Sequence, residues 1–197
     1  MYKHFFKRLF DILIGLVALP FVLLEILLVG PIIYFTDKGP VFYCGERVGK
    51  NGRHFRMIKL RSMYVNAPDI RNADGSTFNS DKDERVTPIG RLLRKTSLDE
   101  FPQFLNVLLG DMSIIGPRPT VALNLNLSTA DEMLRKRYSV RPGITGYAQA
   151  YYRNSITQEE KLKWNCYYVD NLSFPLDVKI IIKTVTSVLK HKNINAE

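Results

Sequence analysis

A chain of 197 residues is long enough to bury one domain core with an appended element, and its 28 Lys and Arg against 19 Asp and Glu leave a formal net charge of +9. That balance favours polyanionic partners, namely nucleic acid, phosphate esters or an anionic bilayer. The two cysteines, Cys44 and Cys166, match no metal spacing and no nucleophile signature, and they read as free thiols of a reducing compartment.

The first predicted element is the apolar run 12–35, interrupted only by Gly15, Pro20, Glu25, Gly30 and Pro31. It is long enough to cross a hydrocarbon core of about 30 Å. Lys3, Lys7 and Arg8 hold the N-terminus on the cytoplasmic side. A simple span would then export a domain rich in Lys and Arg with unpaired cysteines. Pro20 offers the alternative, because it lacks an N–H and its ring clashes with the Leu16 carbonyl, so a helix breaks near mid-bilayer and both ends emerge on one face. An ordinary signal-anchor helix with a tolerated proline is the competing reading, and the cytoplasmic look of the rest decides against it. Glu25 is protonated, paired with a basic residue, or marks where the segment leaves the hydrocarbon.

Two short strands follow, 41–44 and 54–59, joined by a turn with Asn51-Gly52 at its tip. Alternation puts Phe55, Met57, Lys59 and Arg61 on one side, where the two cations are phosphate ligands or a solvated strand end. Residues 64–86 are polar and turn-rich and read as a mobile loop. Thr87-Pro88 opens a helix by capping and by proline at its first position; Ile89, Leu92 and Leu93 form its apolar stripe, with Arg91, Arg94 and Lys95 off it.

Ser97-Leu98-Asp99-Glu100 matches a capping box ahead of an apolar run to Leu109 and a Gly110 stop, which would make Glu100 a cap and Asp99 a complement to the helix dipole. Pro102 argues otherwise: a helix starting at Leu98 would need the proline's missing N–H, so the regular helix begins near Phe101 or Pro102 and frees both carboxylates for a ligand. Adjacent carboxylates suit Mg²⁺, and a carboxylate can attack phosphorus. In Gly116-Pro117-Arg118-Pro119 the prolines stiffen the approach of Arg118 as a phosphate clamp, unless this is a plain turn with an exposed arginine.

Pro142-Gly143 marks a turn, and Gln149, Arg153 and Asn154 are polar groups available to a nucleotide or members of an ordinary loop. Thr157 begins a helix with Glu160 three residues on, carrying Trp164, Tyr167 and Tyr168. In the helix 176–190, Val178, Ile181, Ile182, Val185, Val188 and Leu189 form a stripe that packs on the core or lies with its lysines on anionic headgroups. Asp177 reads as a residue of its first turn.

The combination resembles the bacterial sugar transferases, the monotopic phosphoglycosyl transferases. The matching pieces are KRLFDILIGLVALP, GPVFYCGERVGKNGRHFRMIKLRSM, the block 87–119, RPGITGYAQAYYRN and YYVDNLSFPLDVKIIIKTV. Leu19, Tyr152 and Asn165 depart from the family's pattern. The resemblance implies an α+β fold, mostly helical with a small β-hairpin, an N-terminal re-entrant helix broken at a proline (1–36) and a catalytic domain (37–197) on the cytoplasmic face of the bacterial inner membrane. It further implies that Asp99 attacks the sugar-proximal phosphorus of a UDP-sugar, that UMP departs, and that a polyprenol phosphate, typically undecaprenyl phosphate, takes the phosphosugar. Glu100 would join Asp99 in binding Mg²⁺ or accept a proton. Lys59, Arg94 and Arg118 would hold phosphates, with Gln149, Arg153 and Asn154 toward the nucleotide. The expected partners are these substrates and membrane lipid, not nucleic acid, and a homo-oligomer is left open. The rival reading is a non-catalytic basic scaffold on the membrane.

Overall fold

The computed structural model describes residues 1–70, 78, 80, 82–121, 126–152 and 155–189, and mixes helix with short strands. Its longest element, α1 (Lys7–Asp37), follows a π-helical lead of Tyr2–Phe6 and ends at Lys38, whose positive φ turns the chain out. The expected break at Pro20 is not found as an interruption: the helical backbone continues through Pro20 and Pro31. A proline deletes one backbone hydrogen bond and strains its own turn, at about 3 kcal/mol, and long helical segments on both sides absorb that cost here.

Over its 31 residues, about 46 Å at the standard rise, α1 keeps one side toward the domain. Asp11, Gly15, Val22, Glu25, Gly30 and Ile33 are buried, while Leu13, Val17, Phe21, Leu24, Leu28 and Ile32 are exposed. Polar anchors hold each end. At the first, Lys7 and Tyr2 donate to Asp177 at 2.8 and 2.6 Å, Arg8 donates to the Val107 and Leu108 carbonyls, and Asp11 accepts from Ser113 Oγ and Ile114 N. Close packing adds to them, since a Cβ at Gly15 would lie 2.8 Å from Leu108 Cδ2. At the far end, Asp37 takes both terminal nitrogens of the buried Arg61 at 2.6 and 2.7 Å, and the Val65 amide. Both ends of the apolar helix are therefore tied to one folded domain.

Strands β1 (Phe42–Val48) and β2 (His54–Leu60) pair antiparallel, longer than their apolar alternation alone suggests, with Tyr43 opposite Lys59 and Val48 opposite His54. Asn51 and Gly52 take positive φ in the connecting turn, the conformation that Asn and Gly tolerate. Of the polar loop 64–86, several residues lie outside the described set, and its ends are pinned by the Met63–Val86 bridge. Helix α2 (Pro88–Thr96) starts as expected, with Thr87 Oγ1 accepting from Gly90 N at 3.0 Å.

Ser97 ends α2 with φ 60° and its side chain caps neither that helix nor the next turn. Leu98–Glu100 form a single 3-10 turn, and α3 (Gln103–Leu109) starts directly after Pro102 and stops at Gly110. The expected late start is thus realised, and Glu100 is not a capping residue. Strand β3 (Ser113–Ile115), β4 (Thr120–Val121), α4 (Glu132–Arg137) and β5 (Gly143–Thr145) come next. β4 adds to the free side of β1, giving the order β2-β1-β4, and β3 pairs parallel with β5. Gly143 therefore lies in a strand rather than a turn; a Cβ there would overlap the Gly116 amide, so only glycine lets the two backbones meet.

Helices α5 (Tyr147–Tyr151), α6 (Gln158–Asp170) and α7 (Phe174–Leu189) complete the domain. The Thr157 and Glu160 capping box of α6 is formed in full. In α7 the predicted stripe is corrected in part: Ile181 packs against the main core as expected, and the side chains of Val188 and Leu189 lie outside the described residues. Ile180 is fully buried and Asp177 nearly so, whereas Val178, Ile182 and Val185 face outward beside Phe174, which stacks on Phe10 of α1. The reason is Asp177, whose three hydrogen bonds rotate its own side of the helix inward. The main core gathers Phe55, Met57, Val107, Met112, Tyr168 and Ile180. A second cluster of Ile33, Leu60 and Leu93 receives Ile26, Val29 and Leu98 and so joins α1 to the turn that carries the acidic pair.

Candidate active site

The acidic pair is held by local backbone chemistry. The αL residue Ser97 and the proline at position 102 bracket one tight turn, so Asp99 and Glu100 point away from any regular helix. Asn106 fixes this unit to the sheet: its Oδ1 accepts from Ile58 N at 2.9 Å and its Nδ2 donates to Arg56 O at 2.8 Å, filling the outer edge of β2 as a further strand would. The register this sets brings Lys59, at the end of β2, against the turn.

Lys59 Nζ donates to Glu100 Oε1 at 2.6 Å, and Arg118 Nη2 donates to the same oxygen at 2.7 Å, with Nη1 3.4 Å from Oε2. Burial acts to raise the Glu100 carboxyl, but Arg118 and Lys59 outweigh it and hold the group well below the usual carboxylate range. Asp99 behaves in the opposite way. It is 9% exposed and makes no hydrogen bond or ion pair among the described residues. Burial raises its pKa and the Glu100 charge adds to that, while Lys59, Arg94 and Arg118 partly offset them. Arg94 is held by a 2.9 Å bond from its Nε to Ser62 Oγ, which leaves its terminal nitrogens free of any carboxylate among the described residues. Burial lowers its pKa, offset in part by Asp99 and Asp83.

Five of the residues singled out in the sequence, Lys59, Arg94, Asp99, Glu100 and Arg118, are thus brought together. Gln149 is not among them: its Nε2 turns back to the Ile144 carbonyl at 3.3 Å. Arg153 and Asn154 lie outside the described residues. Next to them Tyr152 stacks on Trp164 at 5.1 Å and Tyr147 on both Trp164 and Tyr151, a single aromatic cluster. Sequence reasoning missed Ser62, Asn106 and the clamp role of Asp177. A short polar residue gives no periodic signal of which backbone or guanidinium it meets.

Chemically, the arrangement offers a free, partly desolvated carboxylate in a field of cations, one pair of which is already bridged by a neighbouring acid. Asp99 and Glu100 put two carboxylates side by side, the number through which Mg²⁺ binds when phosphate and water oxygens complete its shell, whereas no group of three or more potential protein ligands occurs among the described residues.

A family model described as "Bacterial sugar transferase" matches residues 2–191. The chain is 41% identical to the uncharacterized sugar transferase EpsL of Bacillus subtilis, over 95% of this chain and 89% of that protein. It is 39% identical to the UDP-N-acetylgalactosamine-undecaprenyl-phosphate N-acetylgalactosaminephosphotransferase of Aeromonas hydrophila, over 94% of this chain and 44% of the relative. It is 34% identical to the undecaprenyl-phosphate galactose phosphotransferase of Salmonella typhimurium, over 95% of this chain and 41% of the relative. The chain spans less than half the length of those two enzymes. It belongs to the bacterial sugar transferase family and is a transferase.

Proposed function

We propose that this bacterial sugar transferase moves a sugar 1-phosphate from a UDP-sugar to a polyprenol phosphate, undecaprenyl phosphate in the relatives' names, in two steps through Asp99. The observation that carries the reading is an unpartnered, buried Asp99 carboxylate lying in the field of Lys59, Arg94 and Arg118. An Asp99 oxygen attacks the phosphorus that bears the sugar. The bond from that phosphorus to the bridging oxygen breaks, and UMP leaves with the electron pair. An oxygen of the lipid phosphate then attacks the same phosphorus, the bond to Asp99 breaks, and the carboxylate is restored. Fixed cations stabilise the charge spread over the phosphoryl oxygens in both steps, at little reorganisation cost. Glu100, gripped by two cations, is a weak proton acceptor, and its part is to keep Lys59 and Arg118 aimed at the approach to Asp99. Asp99 and Glu100 would hold Mg²⁺, which when bound supplies charge neutralisation between the carboxylate and the donor's phosphates.

Location follows from α1. Because both of its ends are anchored to the same domain, we infer that the uninterrupted α1 stays within one leaflet with both ends on the domain's face of the membrane, its exposed leucines in lipid and the domain on the cytoplasmic side. A site beside such a helix meets a soluble nucleotide sugar and a lipid phosphate together. Detergent-solubilised protein given UDP-sugars and Mg²⁺ without lipid should release near-stoichiometric UMP and gain one phosphosugar on the peptide containing Asp99, both lost in Asp99→Asn. Turnover only with both substrates present, and no adduct under any quench, would refute the covalent mechanism.

A further inference from the structure

The arm that carries Arg118 has little backbone support of its own. Arg118 stands between Pro117 and Pro119, and neither proline has an N–H to donate. On one side the Pro117 carbonyl accepts from Gly143 N at 2.9 Å, and on the other Thr120 and Val121 pair with Val48 and Arg47. Between those two ties the Arg118 carbonyl has one partner among the described residues, the side chain of Arg137, whose Nη2 donates to it at 2.9 Å. The next residue, Tyr138, holds the same arm through its hydroxyl, 2.6 Å from Thr120 Oγ1. Arg137 and Tyr138 lie at the end of α4, and that end is itself fixed. The Tyr138 carbonyl accepts from Asn51 N at 2.7 Å in the turn between β1 and β2, and the Tyr138 ring lies under the Arg137 guanidinium at 5.4 Å. Helix α4 also packs along α6, where Cys166 Sγ donates to the Met133 carbonyl at 3.3 Å.

Arg118 needs such a hold. Its side chain is 52% exposed, and among the described residues its guanidinium meets only Glu100. The donor's phosphates compete with that one grip when they arrive, and what then keeps the guanidinium in place is the backbone beneath it. A hydrogen bond from an ionised donor is about twice as strong as a neutral one, which suits Arg137 to the task. Arg137 makes no ion pair among the described residues, so no local acid draws it off the Arg118 carbonyl. Resting on the reading of Arg118 as a phosphate ligand beside Asp99, we propose that Arg137 is a positioning residue: it fixes the Arg118 backbone so that the Arg118 guanidinium stays aimed at the phosphates of donor and intermediate.

The test uses the full chain in detergent, with Arg137→Met, Arg137→Lys, Arg118→Met and the double variant Arg137→Met with Arg118→Met. Single-turnover UMP release from a UDP-sugar is measured at saturating donor, at a temperature well below the lowest Tm of the set. Misplacing a group by 1 Å can cost about 100-fold in rate, so Arg137→Met should slow release about 10- to 100-fold. Arg137→Lys, whose ammonium can still donate to the carbonyl, should stay within about 5-fold of wild type. In the Arg118→Met background the loss of Arg137 should cost less than about twofold, because no guanidinium is left to position. Should Arg137→Met fail to fold, Arg137→Gln takes its place in the same cycle. Additive losses in the double variant overturn the proposal, since they make Arg137 a structural residue or an independent ligand. It falls equally if lysine restores nothing, or if Arg118→Met alone releases UMP at the wild-type rate. Asp99→Asn, run beside them, separates these outcomes from failure of the covalent reading: if it releases UMP as wild type does, that reading falls whatever the Arg137 cycle shows.

Discussion

Replacing Glu100 by Gln should tighten UDP binding while slowing phosphosugar transfer. Lys59, Arg118 and Glu100 form a trio of net charge +1, two cations less one carboxylate, with the contacts at 2.6 and 2.7 Å. Glu100→Gln makes the trio +2 and ends the competition between an internal anion and the donor's diphosphate. A hydrogen bond to a charged group contributes about 1.5–3 kcal/mol. Arg118 is 52% exposed and keeps much of its hydration, so only part of that is recovered. A net gain of about 1–2 kcal/mol, roughly 5- to 30-fold in affinity, is expected. Titration calorimetry with UDP at fixed ionic strength measures it, and single-turnover UMP release from a UDP-sugar should slow because the two cations are no longer held in register. An affinity equal to or weaker than wild type would refute the view that Glu100 occupies the phosphate-binding cations.

Because burial raises the Asp99 carboxyl, single-turnover UMP release should climb with pH along a limb lying above the ordinary aspartate range and then level off. Lys59 holds that carboxyl down, so Lys59→Met should move the limb to higher pH; an unmoved or lowered limb would contradict the assignment. Asp37→Ala leaves Arg61, 8% exposed, without its partner and should cost about 3–5 kcal/mol in denaturant unfolding; a loss under about 1 kcal/mol would mean that this ion pair does not anchor α1. The hydrogen bond from Arg61, working against burial, pulls the Asp37 carboxyl well below its usual value. Its contribution is therefore complete above the unfolded pKa of about 4 and is lost on further acidification. Wild type should lose stability below that pH more steeply than Asp37→Ala.

Much of the site's local framework was legible without coordinates. Thr87 and Thr157 cap their helices, Gly110 ends α3, and Pro102 forbids the early helix start, because each acts on groups within four residues of itself. The length and apolar content of α1, enough to cross a membrane, were likewise readable there. Pro20 shows the limit of such reasoning, since the cost of a proline can be weighed only against the helix and domain contacts around it.

From the sequence alone came the acidic pair, the cations that suit phosphate and the mixed fold. Tertiary structure alone decided that Lys59 and Arg118 grip Glu100 and leave Asp99 without a partner among the described residues, and that both ends of α1 are tied to one domain. Caps, turns and periodicity are written in neighbouring residues. Which faces meet depends on how β2, α1 and α7 pack, through single side chains such as Asn106 and Asp177 whose partners lie far away in the chain.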